Sequence, residues 1–224
     1  MSSFHTHMLI GAVGGLAAFK IAEHLAPSAL SVSIDIADST YAIPPSAIGL
    51  TVVAVSGFLA VWPDIDESGS WISHQASHVM WLLGAMTGMV VAFAFTQSAI
   101  WLAAGFVAGA IIGRIAGGLV LQLLRILSGG HRRMTHSLLV GAALIVAAGV
   151  MYAVGLGALS LPLFGLAWGQ YLHLVGDVVT PGGVPLFYPF WGRDIRVLPY
   201  GIAQFGELIV FGAALLFGLI LSLL

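Results

Sequence analysis

The sequence predicts an all-α, polytopic helix bundle embedded in a membrane, and three observations carry that expectation. Mean hydropathy is +1.05 and 59% of the residues are hydrophobic. Only 7% are charged, against about 25% in an ordinary soluble domain. Residues 68–112 carry no charge at all, and a bilayer core is spanned by about 20 apolar residues per helix.

The apolar segments place helices at about 8–26, 46–62, 79–96, 99–124, 137–157, 161–177 and 200–223. That makes about seven spans in a single integral-membrane domain covering 1–224. Gly11, Gly14 and Gly15 in the first segment, and Gly105, Gly109, Gly113 and Gly117 in the fourth, read as close packing surfaces, because small residues let membrane helices approach one another. The first segment has no basic region before it, so a cleaved signal peptide is not expected. Glu23, His24, Asp35 and Asp38 fall in a loop that reads as solvated. The absence of cysteine excludes disulfides, thiolate metal sites, Cys nucleophiles and lipid anchors on Cys. A net charge of −2 and no recognisable module argue against a nucleic-acid partner.

Polar residues are costly in such a chain, so each calls for a partner or a task. They fall in four clusters: His5-Thr-His7, Asp64-Ile-Asp66-Glu67, His131-Arg-Arg-Met-Thr-His136 and His173-x-x-x-Asp177. Counting crossings from the N-terminus puts all four on one side. Arg125, Arg132, Arg133, Arg193 and Arg196 share that side and Lys20 stands near the other, which makes the clustered side cytoplasmic. Trp62, Trp71, Tyr188, Trp191 and Tyr200 suit an interfacial aromatic belt around it.

These residue types bind metal ions at nitrogen- and oxygen-rich sites. His173 and Asp177, at i and i+4, share a helical face. Taken singly, each cluster has a plainer explanation. Asp64 and Asp66 suit a capping turn after Pro63, His173 and Asp177 a buried hydrogen-bonded pair, and His5 an interfacial position. His74 and His78 likewise read first as an interfacial pair. Jointly, the four clusters favour a shared site. Its candidate ligands are His7, Asp64, Asp66, His131, His136, His173 and Asp177, more than the four that one tetrahedral ion takes. Two or more divalent ions are therefore expected, zinc first, with manganese as the alternative. Asp64 is placed to orient or deprotonate a water, and Arg132, Arg133 and Arg193 to bind a phosphate.

Pro63-Asp64-Ile65-Asp66, His131-Arg132-x-x-Thr135-His136-Ser137-Leu138 and His173-x-x-x-Asp177-x-x-Thr180-Pro181-x-Gly183-Val184-Pro185-Leu186, with Pro189, resemble the YdjM-type family of predicted membrane-bound metal-dependent hydrolases. The resemblance implies a membrane enzyme with a His/Asp metal centre. A more distant similarity to zinc-dependent phospholipases C and related nucleases implies phosphoester chemistry. Glu67 stands where the family often has His, Arg133 replaces a usual glycine, and residues 68–130 add two spans relative to short members. The expected activity is hydrolysis of a lipid or lipid-linked phosphoester at the cytoplasmic interface of a prokaryotic cell membrane. The alternatives are a divalent-ion transporter, for which Arg114 and Glu207 are the mid-span charges, or a non-catalytic scaffold.

The cysteine-free background makes topology directly testable. Single cysteines at residues 34 and 69 should label from opposite sides of the membrane, residue 69 from the cytoplasm; labelling of both from one side overturns the crossing count.

Overall fold

Inside a bilayer, a backbone peptide group can be satisfied only within its own segment or a closed sheet, so long apolar stretches fold as helices. The computed structural model describes residues 4–36, 39–96, 98–130 and 132–223. Its helices are α1 (Phe4–Leu25), α2 (Pro45–Leu59), α3 (Trp71–Phe95), α4 (Ala99–Leu127), α5 (Leu138–Ala153), α6 (Gly157–Asp177), α7 (Tyr200–Ala203) and α8 (Gly206–Leu223). Short 3₁₀ turns follow α2 at Trp62–Asp66 and precede α5 at Met134–His136.

Every expected apolar segment is helical, but among the described residues five helices, not seven, are long and apolar enough to cross a membrane: α1, α2 with its 3₁₀ extension, α3, α4 and α8. With 16 residues, α5 reaches about 24 Å at 1.5 Å per residue, short of a hydrocarbon core of about 30 Å. Helix α6 has 21 residues, but it carries Pro162 and the polar run Gln170, His173 and Asp177. Helix starts also shift. The first begins at Phe4 rather than 8 and the third at Trp71 rather than 79, because Ser70 caps α3 by accepting from the Ser73 amide at 3.1 Å. The last segment breaks at residues 204–205.

The loop read as solvated contains an antiparallel hairpin of β1 (Val32–Ile36) and β2 (Ser39–Ile43), in register from Val32 opposite Ile43 to Ile36 opposite Ser39. Alternating Val, Ile, Thr and Tyr favour extended backbone there. The nearby acids Asp35 and Asp38 masked that short pattern; Asp38 lies outside the described residues.

The chain divides into two compact units, Met1–Pro63 with His136–Leu224 and Asp64–Thr135. In the first unit α1 packs on α2 where a Cβ at Gly11 would stand 2.5 Å from the Ser56 carbonyl oxygen and one at Gly15 2.8 Å from Ser56 Cβ. The second unit is built on a hairpin of α3 and α4. Its helices meet through Gly84 and Gly88 on α3 and Gly105, Gly109 and Gly113 on α4, each of whose added Cβ would collide with the opposing backbone.

Gly109→Leu should therefore separate α3 from α4 and cost about 1–3 kcal/mol, read as a lower thermal transition in detergent. Gly118→Leu, at a glycine with open space around it, should leave that transition unchanged.

Candidate metal centre

Four helix ends of the first unit converge. His7 sits in the second turn of α1, Ala60 just beyond α2, His136 just before α5, and His173 and Asp177 in the last turns of α6. All four side chains, His7, His136, His173 and Asp177, are buried, with exposures of 0–1%. The rings of His7 and His173 stack at 3.7 Å between centroids with 13° between planes, and His136 meets His173 edge-on at 4.8 Å.

The hydrogen bonds fix the histidine roles. His173 Nδ1 lies 2.8 Å from the Ala60 carbonyl oxygen, which can only accept, so Nδ1 carries the proton. That leaves His173 Nε2 as a lone pair, 3.0 Å from His136 Nε2. A backbone carbonyl that orients a ring in this way is a usual support for a metal-binding histidine. Asp177 turns Oδ1 toward His7 Nε2 at 3.4 Å and Oδ2 toward His136 Nε2 and His173 Nε2, both at 3.6 Å. Ligand atoms on a tetrahedral ion with bonds of 2.0–2.1 Å are about 3.3 Å apart, so these separations suit ligands around divalent cations. His7, His173 and Asp177 each offer an atom within 4.8 Å of the others, and Asp177 presents its two oxygens to different histidines, as a bridging carboxylate does.

Three buried polar residues beside the centre escaped the sequence reading. Gln170, one turn before His173 on α6, donates through Nε2 to the Ser137 carbonyl at 3.3 Å. Ser137, next to His136, is fully buried and its Oγ has no hydrogen-bond partner among the described residues. The signal was present in the i, i+3 spacing of Gln170 and His173 within an apolar helix. Thr6 is the other such residue. Its hydroxyl donates to Glu207 Oε1 at 2.9 Å, which places Glu207 in the first turn of α8 and not in mid-span.

Asp64 and Asp66 belong to the second unit, where Asp66 is fully buried and Asp64 partly so. Thr135 Oγ1 donates to Asp66 Oδ2 at 2.7 Å, Arg125 Nε to the Asp66 carbonyl at 2.6 Å, and Ser70 Oγ to the Asp64 carbonyl at 2.6 Å. Arg132 sits at φ 59°, a left-handed conformation costly for a side chain of this size. His131 lies outside the described residues. His5, His74, His78, Arg133 and Arg193 are exposed, and so is Arg114 on α4. Arg196 gives its guanidinium to the Pro181 and Leu198 carbonyls at 2.8 and 3.0 Å, a structural use of a residue otherwise suited to phosphate.

Behind α6 the segment 178–199 is pinned. Val184 and Ile195 exchange backbone hydrogen bonds, the Val197 amide donates to Val178, and the Leu138 amide at the start of α5 donates to Leu186. Gly183 is needed there, with φ 62° and no room for a Cβ beside the Ile195 carbonyl.

The geometry predicts that purified protein binds divalent metal and that His173→Ala loses at least one ion by elemental analysis. Gln170→Leu should retain the metal, because Gln170 supports the backbone and not the ion; a wild type that neither copurifies with metal nor gains any on titration overturns the centre.

A family model described as the YdjM inner membrane protein family matches residues 1–223. Searches of curated proteins and of solved structures return no match. The motifs that suggested the resemblance thus lie within that match, and they include His136, His173 and Asp177 of the residues gathered at the helix ends. The chain is a multi-pass membrane protein and belongs to the YdjM inner membrane protein family.

Proposed function

We propose that the protein is a membrane-embedded metal-dependent hydrolase acting on the phosphoester of a lipid or lipid-linked substrate at the cytoplasmic face. One observation carries the reading: three imidazoles and a carboxylate meet, buried, at the ends of helices from an apolar bundle, with one histidine tautomer fixed by the Ala60 carbonyl. The proposal puts this centre at the depth of a lipid headgroup, and buried polar groups among membrane helices mark functional sites by default.

His7, His136, His173 and Asp177 would hold divalent cations, which would supply Lewis acidity toward water and phosphoryl oxygens when bound. The chain's own residues do the rest. Asp177 balances charge and spans two sets of histidines, and Ala60 keeps the His173 lone pair directed at the centre. Asp64 and Asp66 enter the proposal on their sequence pattern, Asp64 as the group that orients or deprotonates the attacking water and both as further ligands. Arg132, Arg133 and Arg193 enter it as phosphate contacts, because guanidinium pairs bidentately with such oxygens. The crossing count of seven, the cytoplasmic orientation and the choice of zinc over manganese belong to this proposal as well.

Metal-loaded protein in mixed micelles should release phosphate or a headgroup from phospholipids or lipid-linked phosphates, and chelation should stop it reversibly. Asp64→Asn should reduce kcat by about 10²-fold or more while the thermal transition is kept, as expected for loss of a general base. Arg132→Ala should raise KM more than it lowers kcat if its contact is equal in ground and transition states. Protein that cleaves none of these substrates yet carries divalent ions into liposomes is a transporter, and the hydrolase reading falls.

A further inference from the structure

The first turn of a helix holds its side chains less firmly than the middle, because its first amides have no partner within the helix and helix ends fray. His7 stands close to such an end, in a helix that begins at Phe4. Its ring is nevertheless buried, stacks on His173 at 3.7 Å between centroids and brings Nε2 to 3.4 Å from Asp177 Oδ1. We infer that Glu207, acting through Thr6, is the positioning residue that holds His7 in the metal centre. The inference deepens the hydrolase reading by adding a residue to its centre, and it rests on that centre and not on the reaction.

Two consecutive residues of α8 carry it. Glu207, half-buried in the first turn of α8, accepts the Thr6 hydroxyl at 2.9 Å across 201 positions of sequence. Thr6 is 1% exposed and adjoins His7 in the chain, and an ionised acceptor strengthens such a bond. Gly206, the residue before Glu207, meets the other ligand-bearing helix: a Cβ there would collide with the carbonyl oxygen of Val179, two residues past Asp177. Thr180 ties that segment back, its hydroxyl donating to the Asp177 carbonyl at 2.8 Å. The first turn of α8 thus grips the neighbour of His7 on one side and the chain leaving Asp177 on the other. It sets the spacing of two ligands that come from different helices, and a ligand set works only within about 0.5 Å of its productive geometry.

The probe is Co²⁺, titrated into metal-free protein and followed by its visible absorption, which reports ligand geometry. Outer groups that hydrogen-bond a ligand directly are worth about 10–100-fold in metal affinity. Glu207 acts one residue removed, so Glu207→Leu should weaken Co²⁺ binding about tenfold, the low end of that range. Thr6→Val, which removes the hydroxyl at nearly constant volume, should match it, and it decides the matter if the Glu207 variant misfolds. Glu207→Gln, which keeps an accepting oxygen, should bind within about twofold of wild type. Because the effect runs through His7, His7→Ala combined with Glu207→Leu should bind no more weakly than His7→Ala alone. Val13→Ala, which loosens α1 near Gly218 of α8, should lower the thermal transition and leave Co²⁺ affinity unchanged. Wild-type affinity in both Glu207→Leu and Thr6→Val, an additive loss in the double variant, or an equal weakening by Glu207→Gln or Val13→Ala each overturns the positioning role. A wild type that binds no Co²⁺ overturns the centre and the positioning role with it. The expected pattern in a protein that cleaves no phosphoester refutes the hydrolase and keeps the role of Glu207.

Discussion

A buried carboxylate must have its charge answered, and Asp177, about 1% exposed, has nitrogens of three imidazoles gathered around it at 3.4–3.6 Å. Much of the first unit follows from that requirement. His7 can reach Asp177 only if α1 lies close to α6, and Gly176 is the residue that permits it, because a Cβ there would press on the His7 ring. His173 can keep its lone pair on the centre only if α2 ends where the Ala60 carbonyl meets Nδ1, and α2 is held against α1 by Gly11 and Gly15. His136 arrives on a 3₁₀ turn whose continuation into α5 is fixed by the Leu138 to Leu186 hydrogen bond. The glycines are thus the reason four polar side chains from two helices and a turn, and one backbone carbonyl from the end of α2, share one small volume.

The second unit obeys the same rule with different means. Asp66, also buried, is held by Thr135 through its carboxylate and by Arg125 through its backbone carbonyl. Between those two contacts the chain makes a tight reversal, with Gly129 at φ 77°, Gly130 at φ 101° and Arg132 at φ 59°. Glycine adopts such angles freely and arginine does not, so the strain falls on the residue assigned to phosphate. Stored strain at a candidate contact residue is consistent with a backbone shaped for a ligand and not for stability alone.

The apolar surface also divides by task. Large exposed side chains such as Leu50, Val90, Phe93 and Ile112 are ordinary for helices solvated by lipid, because lipid tails leave little hydrophobic drive to hide them. Packing then depends on shape, which is why the α3–α4 contact is built on glycine. Grooves flank both that contact and the α1–α8 seam.

How much of this was legible in the sequence depends on the range of the interaction. Composition fixed the medium, and hydropathy located every long helix, since a peptide group in lipid has few alternatives to a helical hydrogen bond. The i, i+4 pair His173 and Asp177 could be read from spacing, and His7 and His136 could be nominated as its companions from their residue type. The hairpin at 32–43 could not be read, because its short alternation competes with nearby acids. Helix ends were also beyond reach, because they rest on single caps such as Ser70. Tertiary structure alone decided which carboxylate oxygen faces which histidine and which carbonyl sets the tautomer. It also drew in Gln170, Ser137 and Thr6. Those outcomes turn on ångström-scale approaches between residues more than 30 positions apart, and hydropathy along one chain carries no information about such distances.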